Sequence, residues 1–270
     1  MTKPIASVPL ILVLAVYVSA SSGVRSVSVP GAACGVPQAA LPQSQEYDEL
    51  IKKLKSQSKE DRRDGIERLA ELGDHRAVPA LIAMLNDKDA DIRAAAIDAL
   101  GGLGDKAAVD PVIGMMKDQI EFVRSAAARV LGQLGDSRAE PALTSALSDS
   151  VSSVRSAAAL ALGSLKAEGS SPALISMLRE GSPDVRAAAA TALGSLKDRK
   201  AVTPLLALLK DEYGMVRVAA GLALADIGDP AAIPALKDAV SSEKDDETRS
   251  EMDDALKRLI ATSGASKGQG

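Results

Sequence analysis

Seven arginines recur along this chain at a nearly fixed interval: Arg62, Arg93, Arg124, Arg155, Arg186 and Arg217 are 31 residues apart, and Arg249 follows after 32. A guanidinium presents a planar fork of donors that suits phosphate or carboxylate. The series therefore reads either as an anion-binding stripe or as a set of internal ion pairs. The second reading is favoured, because Asp87, Asp118, Asp149, Glu180 and Asp211 each stand six residues before an arginine. Charge-assisted hydrogen bonds are a common way to hold a turn. Other reactive groups are few. His75 is the only histidine and Cys34 the only cysteine, so neither a shared metal site nor a histidine-based nucleophile is assembled from these types. Gly101-Gly102-Leu103-Gly104-Asp105-Lys106 lacks the strand and spacing of a phosphate-binding loop. No cofactor, no metal and no catalysis are expected.

The elements that carry the arginines repeat with them. Around Arg93 the apolar positions Ile92, Ala95, Ala96, Ala99, Leu100 and Leu103 fall three and four apart, and Val185, Ala188, Ala189, Ala192, Leu193 and Leu196 do the same around Arg186. That is one helix stripe. A shorter stripe occupies the other half of each unit, as in Leu81, Ile82 and Leu85, or Val112, Ile113 and Met116. One step back lie Leu50, Ile51 and Leu54, which predicts seven helix pairs from about Glu46 to Ile260. Gly73-Asp74, Gly104-Asp105, Gly135-Asp136 and Gly228-Asp229 end the longer helices with a residue tolerant of left-handed geometry. Ser182-Pro183 reads as a capped helix start. Pro79, Pro141, Pro172 and Pro234 mark the shorter helices, while Pro111 and Pro204 slip by one residue. Gly101, Gly132, Gly163 and Gly194 read as close-packing positions, since a helix glycine costs ~1 kcal/mol against alanine unless backbones meet there.

With this pattern the units resemble HEAT repeats of the short, phycobilisome-lyase-like type, on motifs such as Asp91-Ile92-Arg93-Ala94-Ala95-Ala96-Ile97-Asp98-Ala99-Leu100-Gly101. The resemblance implies an all-α, right-handed α-solenoid of about seven antiparallel helix pairs. It also implies a ladder in which the acid of each interhelix turn bonds the arginine of the following helix: Asp87 with Arg93, Asp118 with Arg124, Asp149 with Arg155, Glu180 with Arg186 and Asp211 with Arg217. Ser56 takes the acid's place in the first repeat. Bilin-lyase activity is not expected to carry over, because a chain without tryptophan has little to stack on a large conjugated chromophore.

Composition narrows the partners. The chain is 46% hydrophobic yet holds one Phe, three Tyr and no Trp, so its core must come from small aliphatic side chains in closely packed helices. A net charge of −4 and the absence of a basic run argue against nucleic acid. Residues 1–20, with Lys3, the apolar run Pro9 to Val18 and the small residues Val18-Ser19-Ala20, read as a secretory signal. Residues 21–45 read as a flexible leader, 46–260 as the solenoid and 261–270 as a disordered tail. Export to the periplasm or the extracellular space follows. Membrane attachment is expected only if the first segment stays uncleaved or Cys34, flanked by Gly31, Ala32, Ala33 and Gly35, is lipidated.

Function in such an array must be written in columns that vary. On the predicted inner ridge most positions are small and neutral. Bulk gathers at Phe122 with Arg129, at Leu160, and at Tyr213, Met215, Val218 and Leu222, which are the candidate partner-binding residues. The expected role is an exported, non-catalytic scaffold that binds a protein on the concave face. The alternative is an accessory or maturation subunit of an enzyme.

Overall fold

The computed structural model describes residues 43–265. The segment from Pro9 to Val18, Cys34 and residues 266–270 lie outside the described residues. Among the described residues there are fourteen α-helices and no strand. They form seven pairs: α1 (Gln43–Lys53) with α2 (Lys59–Leu72), α3 (Val78–Met84) with α4 (Ala90–Leu103), α5 (Val109–Met115) with α6 (Glu121–Leu134), and α7 (Glu140–Ala146) with α8 (Ser152–Ser164). Then follow α9 (Ser171–Met177) with α10 (Pro183–Leu196), α11 (Val202–Leu208) with α12 (Gly214–Ile227), and α13 (Ile233–Ser242) with α14 (Asp246–Ala265).

The even-numbered, longer helices pack on one another in succession from α2 to α14, and each shorter helix packs on the longer helix that follows it. The result is a solenoid of two helical layers with the core between them. Its columns keep the 31-residue step. Leu81, Val112, Leu143, Leu174, Leu205 and Leu236 are fully buried on the shorter helices, and Leu100, Leu131, Leu162, Leu193 and Leu224 on the longer ones. The one-residue slip of Pro111 and Pro204 thus leaves Val112 and Leu205 in register. No single repeat encloses a core, so stability is shared between neighbours.

The punctuation is finer than the sequence pattern predicts. Gly73, Gly104, Gly135 and Gly228 adopt positive φ of 64°, 69°, 63° and 74° as C-caps. The aspartate after each accepts a hydrogen bond from the backbone N–H two residues on and opens a three-residue 3-10 turn, as Asp105 does for Lys106–Ala108. Lys166 and Lys197 hold the left-handed position in the two repeats that lack the glycine. Ser182 starts α10 without a side-chain cap bond, so the predicted cap there is absent and Pro183 alone marks the start.

Neighbouring longer helices approach to backbone contact. A Cβ on Gly132 would lie 2.9 Å from the Cα of Ala161, and one on Gly163 or Gly194 would lie 2.7 Å from the Cα of Ala192 or Ala223. Nothing lies within 4 Å of such an atom on Gly102, one turn-face away. Gly163→Ala is therefore expected to destabilise the array by about 1–3 kcal/mol through overpacking. Gly102→Ala should leave stability equal or raise it by up to ~1 kcal/mol from helix propensity. Urea unfolding of both variants checks the pair; equal effects would mean that the helices are not in backbone contact.

Candidate functional site

The arginines from Arg62 to Arg217 form a ladder, but each of their ion pairs joins consecutive repeats rather than the two halves of one turn, and Arg249 alone pairs within its own repeat, with Asp246. Arg93 bonds Asp118 through Nε and Nη2, at 2.7 and 2.8 Å. Arg124 bonds Asp149 in the same way at 2.8 and 3.0 Å, and Arg186 bonds Asp211 at 2.8 and 2.9 Å. Arg155 reaches Glu180, and Arg217 reaches Glu243 at 2.6 Å. Arg62, whose own turn has Ser56, is paired with Asp87 and Asp89 of the next.

The expected pairs six residues apart are therefore corrected. What each arginine takes from its own turn is the main chain: Arg93 Nη1 donates to the Asp87 carbonyl, and Arg124, Arg155, Arg186 and Arg217 do likewise to Asp118, Asp149, Glu180 and Asp211, at 2.7–2.9 Å. The physical reason is the fork itself. One edge satisfies carbonyls of the turn beside it, which leaves the other edge aimed at the next repeat, where the carboxylate stands 25 residues on. Asp118, Asp149 and Asp211 each also accept from a backbone N–H two residues later, so one side chain closes its turn and receives the clamp. The bond from Arg124 holds the Asp149 carboxyl below its usual pKa, and that from Arg217 does the same for Glu243. A depressed folded-state pKa contributes stability above the unfolded carboxylate range, and that stability is lost as pH falls through the folded value. Glu243 stands six residues before Arg249, which donates to its carbonyl, so it continues the same pattern as a rung that the expected pairs left out. Its signal was the acid six residues before the seventh arginine, 26 beyond Arg217.

One rung is poorer than the rest. Glu180 is the single glutamate among the interior acids, and Arg155 meets it through one contact of 3.3 Å while its buried Nε has no hydrogen-bond partner. Glu180 makes no turn-closing bond like those of Asp118 or Asp149; with the acid 25 residues beyond its arginine the extra methylene displaces the carboxylate from both positions, whereas Glu243, 26 residues beyond Arg217, fills both.

On the exposed face of the longer helices, Leu160 and Met215 are 44% and 50% exposed. They border one hollow of about 450 Å³ whose walls include Ser156, Ala187 and Thr191. Phe122 stands over a separate hollow of about 560 Å³ beside Ala94, Ala95 and Asp98. Arg129 is ion-paired with Asp98. Tyr213 is exposed at the start of α12, its ring 5.8 Å from the Arg186 guanidinium. Val218 and Leu222 differ from expectation: both are only half exposed and pack against the core, so they belong to the helix's inner flank. The structure thus brings Leu160 to Met215 and keeps Phe122 with Arg129's partner at another hollow.

Among the described residues no group of three or more His, Cys, Asp or Glu side chains could hold a metal, and no helix is long and apolar enough to cross a membrane. His75 is exposed on its turn, with Nδ1 3.4 Å from Asp105.

Helix pairs stacked at a 31-residue step, with a guanidinium clamp between turns, define an α-helical repeat protein. The HEAT-repeat signature matches residues 47–127, 118–182 and 171–257, and the chain belongs to that family. Its fold is similar to that of the CpcE–CpcF complex of phycocyanin lyase from Nostoc, with 24% identity, a TM-score of 0.55, and 88% of this chain and 99% of that one covered. It is also similar to YibA of Escherichia coli, with 22% identity and a TM-score of 0.52 over 82% of this chain and 98% of that one. Kap121p matches over 75% of this chain and 25% of its own, with 20% identity and a TM-score of 0.61. At these identities the likeness is one of fold. No curated protein sequence matches the chain.

Replacing Glu180 by Asp should restore the two-bond clamp on Arg155 and raise stability by roughly 1 kcal/mol, the net value of one hydrogen bond. The same exchange in reverse at Asp211 should lower it by a similar amount. Chemical unfolding of Glu180→Asp and Asp211→Glu decides; opposite signs are required.

Proposed function

We propose that this chain is an exported, non-catalytic scaffold that holds a protein partner against the face formed by its longer helices. The observation that supports this most is the hollow bordered by Leu160 and Met215. Two large apolar side chains stand half exposed over a floor of Ser156, Ala187 and Thr191, where the adjacent repeats carry Arg129 and Thr191 in place of Leu160, and Asp184 and Glu247 in place of Met215. Interface anchors have this character: a few bulky groups beside a concavity, surrounded by small residues that admit a partner. Phe122, with its own hollow, offers a second anchor further along the array. A HEAT solenoid suits such work because its repeated face presents a long surface without needing a closed pocket. Export is supported by the apolar run Pro9 to Val18 and the small residues that follow it.

Leu160→Ser combined with Met215→Ser should leave the melting temperature within a few degrees of the parent, since exposed positions shift stability by only about 0.5 kcal/mol. It should weaken capture of the partner by ~2 kcal/mol or more. Affinity purification from the exported fraction with both proteins, compared by mass spectrometry, tests this: a folded double variant that retains every partner of the parent removes the site. The N-terminal mass of the native protein tests export, with cleavage after Ala20 expected and an intact Met1 in the cytoplasm against it.

A further inference from the structure

Fifteen arginines lie in the described region, and only two have no carboxylate partner there, Arg179 and Arg199. Both rim the same groove on the shorter-helix layer. Two hollows of about 710 and 530 Å³ meet there, sharing Pro172 and Ile175 of α9 as walls. Lys197, Lys200 and Lys210 complete the rim, all exposed and without an ion pair. Five free cations around one groove are notable on a chain whose net charge is −4.

Local geometry explains why they stay free. In the equivalent turns Arg76 and Arg138 fold back onto Asp74 and Asp136. Lys200 occupies the same position after Asp198, but both oxygens of that carboxylate are engaged, one by the Ser171 hydroxyl and one by the Lys200 backbone N–H. Asp211, on the groove wall, is already bound by Arg186. Glu168 is the remaining rim acid. The floor between the cations is apolar: Pro172 and Ile175 run into Leu196 on one side and into Pro204 and Leu208 on the other.

We propose that this groove between α9 and α11 is a second interaction surface, which binds a short segment of another protein that combines carboxylates with apolar side chains. An apolar floor needs apolar groups to cover it, and the paired donors of two free arginines match carboxylates bidentately. A nucleic acid would instead call for a cationic track with aromatic stacking partners, and no aromatic residue lines the groove. The chain's own segments outside the described region are not the occupant by charge, because residues 1–42 and 266–270 contain no Asp or Glu. The surface lies on the opposite layer from Leu160 and Met215, so it stands or falls independently of the ridge.

The test is fluorescence anisotropy of a short labelled peptide alternating glutamate with leucine, against its glutamine-for-glutamate counterpart, using the full chain. The glutamate peptide should bind, salt should weaken it, and Arg179→Glu with Arg199→Glu should reduce affinity by roughly tenfold or more. The milder pair Lys197→Gln and Lys200→Gln should reduce it less and serves if the first variant does not fold. Charge reversal of Lys55 and Lys88, free exposed cations elsewhere, should have little effect. Equal binding of the glutamine peptide, equal loss from the Lys55 and Lys88 reversals, or tighter binding of single-stranded RNA or anionic vesicles than of the glutamate peptide would each overturn the proposal.

Discussion

The array depends on one arrangement, the arginine that bonds the carbonyls of its own turn with one nitrogen and the carboxylate of the next turn with the others. Each rung takes charge out of water. Arg186 and Asp211 have side chains only 11% exposed, so the desolvation penalty offsets much of their attraction. The clamp's main contribution is therefore positional. If one repeat slipped against the next by a residue, a buried guanidinium and a buried carboxylate would both lose their partners, at a cost of several kcal/mol. Helix stripes made of alanine and leucine are nearly degenerate under such slips, since most columns would still meet apolar groups. The ion pairs remove that degeneracy.

Close approach does the rest. With almost no aromatic bulk, the core gains its contact density by bringing backbones together, and the glycines opposite Ala161, Ala192 and Ala223 are what permit it. The two devices are linked. A separation set by glycine against alanine fixes how far the next turn lies, and an aspartate reaches the arginine at that separation with both oxygens. Glu180, at the 25-residue step, is one methylene too long for it and makes a single 3.3 Å contact, whereas Glu243 stands one residue further from its arginine and bonds it at 2.6 Å. A lengthened side chain thus reads out the spacing of the helices directly.

Much of this was legible beforehand because repetition averages away local ambiguity. One stripe around Arg93 could belong to many helical folds, whereas the same stripe at six further positions leaves only a stacked array. Helix pairing, the left-handed glycines and the close-packed glycines were all written in single columns. The partner of each arginine was not. An acid six residues upstream and an acid 25 residues downstream are the same residue seen from different repeats, so a periodic sequence cannot say which arginine it serves. Only the reach of the side chain across the turn decides. Val218 and Leu222 failed for a related reason: their helical phase places them at the edge of the exposed stripe, and small neighbours let the core close around them.

A repeat protein that assigns nearly every arginine to its own scaffold makes exceptions informative. The strict columns answer to stacking and have no freedom to encode a partner. Specificity must come from positions that stacking leaves open, and these are of two kinds here. On the longer helices they are apolar groups standing where the adjacent repeats are polar, as Leu160 and Met215 do. On the shorter helices they are charges whose customary partner is engaged elsewhere, as around Asp198. The second kind follows from the fifth repeat, which carries Ala167 where other repeats place the capping aspartate, and Ser171 at the start of its short helix. Ser171 then donates its hydroxyl to Asp198 of the next repeat, and that repeat's cations are left facing the groove. A local departure from the consensus in one repeat thereby changes the electrostatics of its neighbour's surface while both cores remain in register.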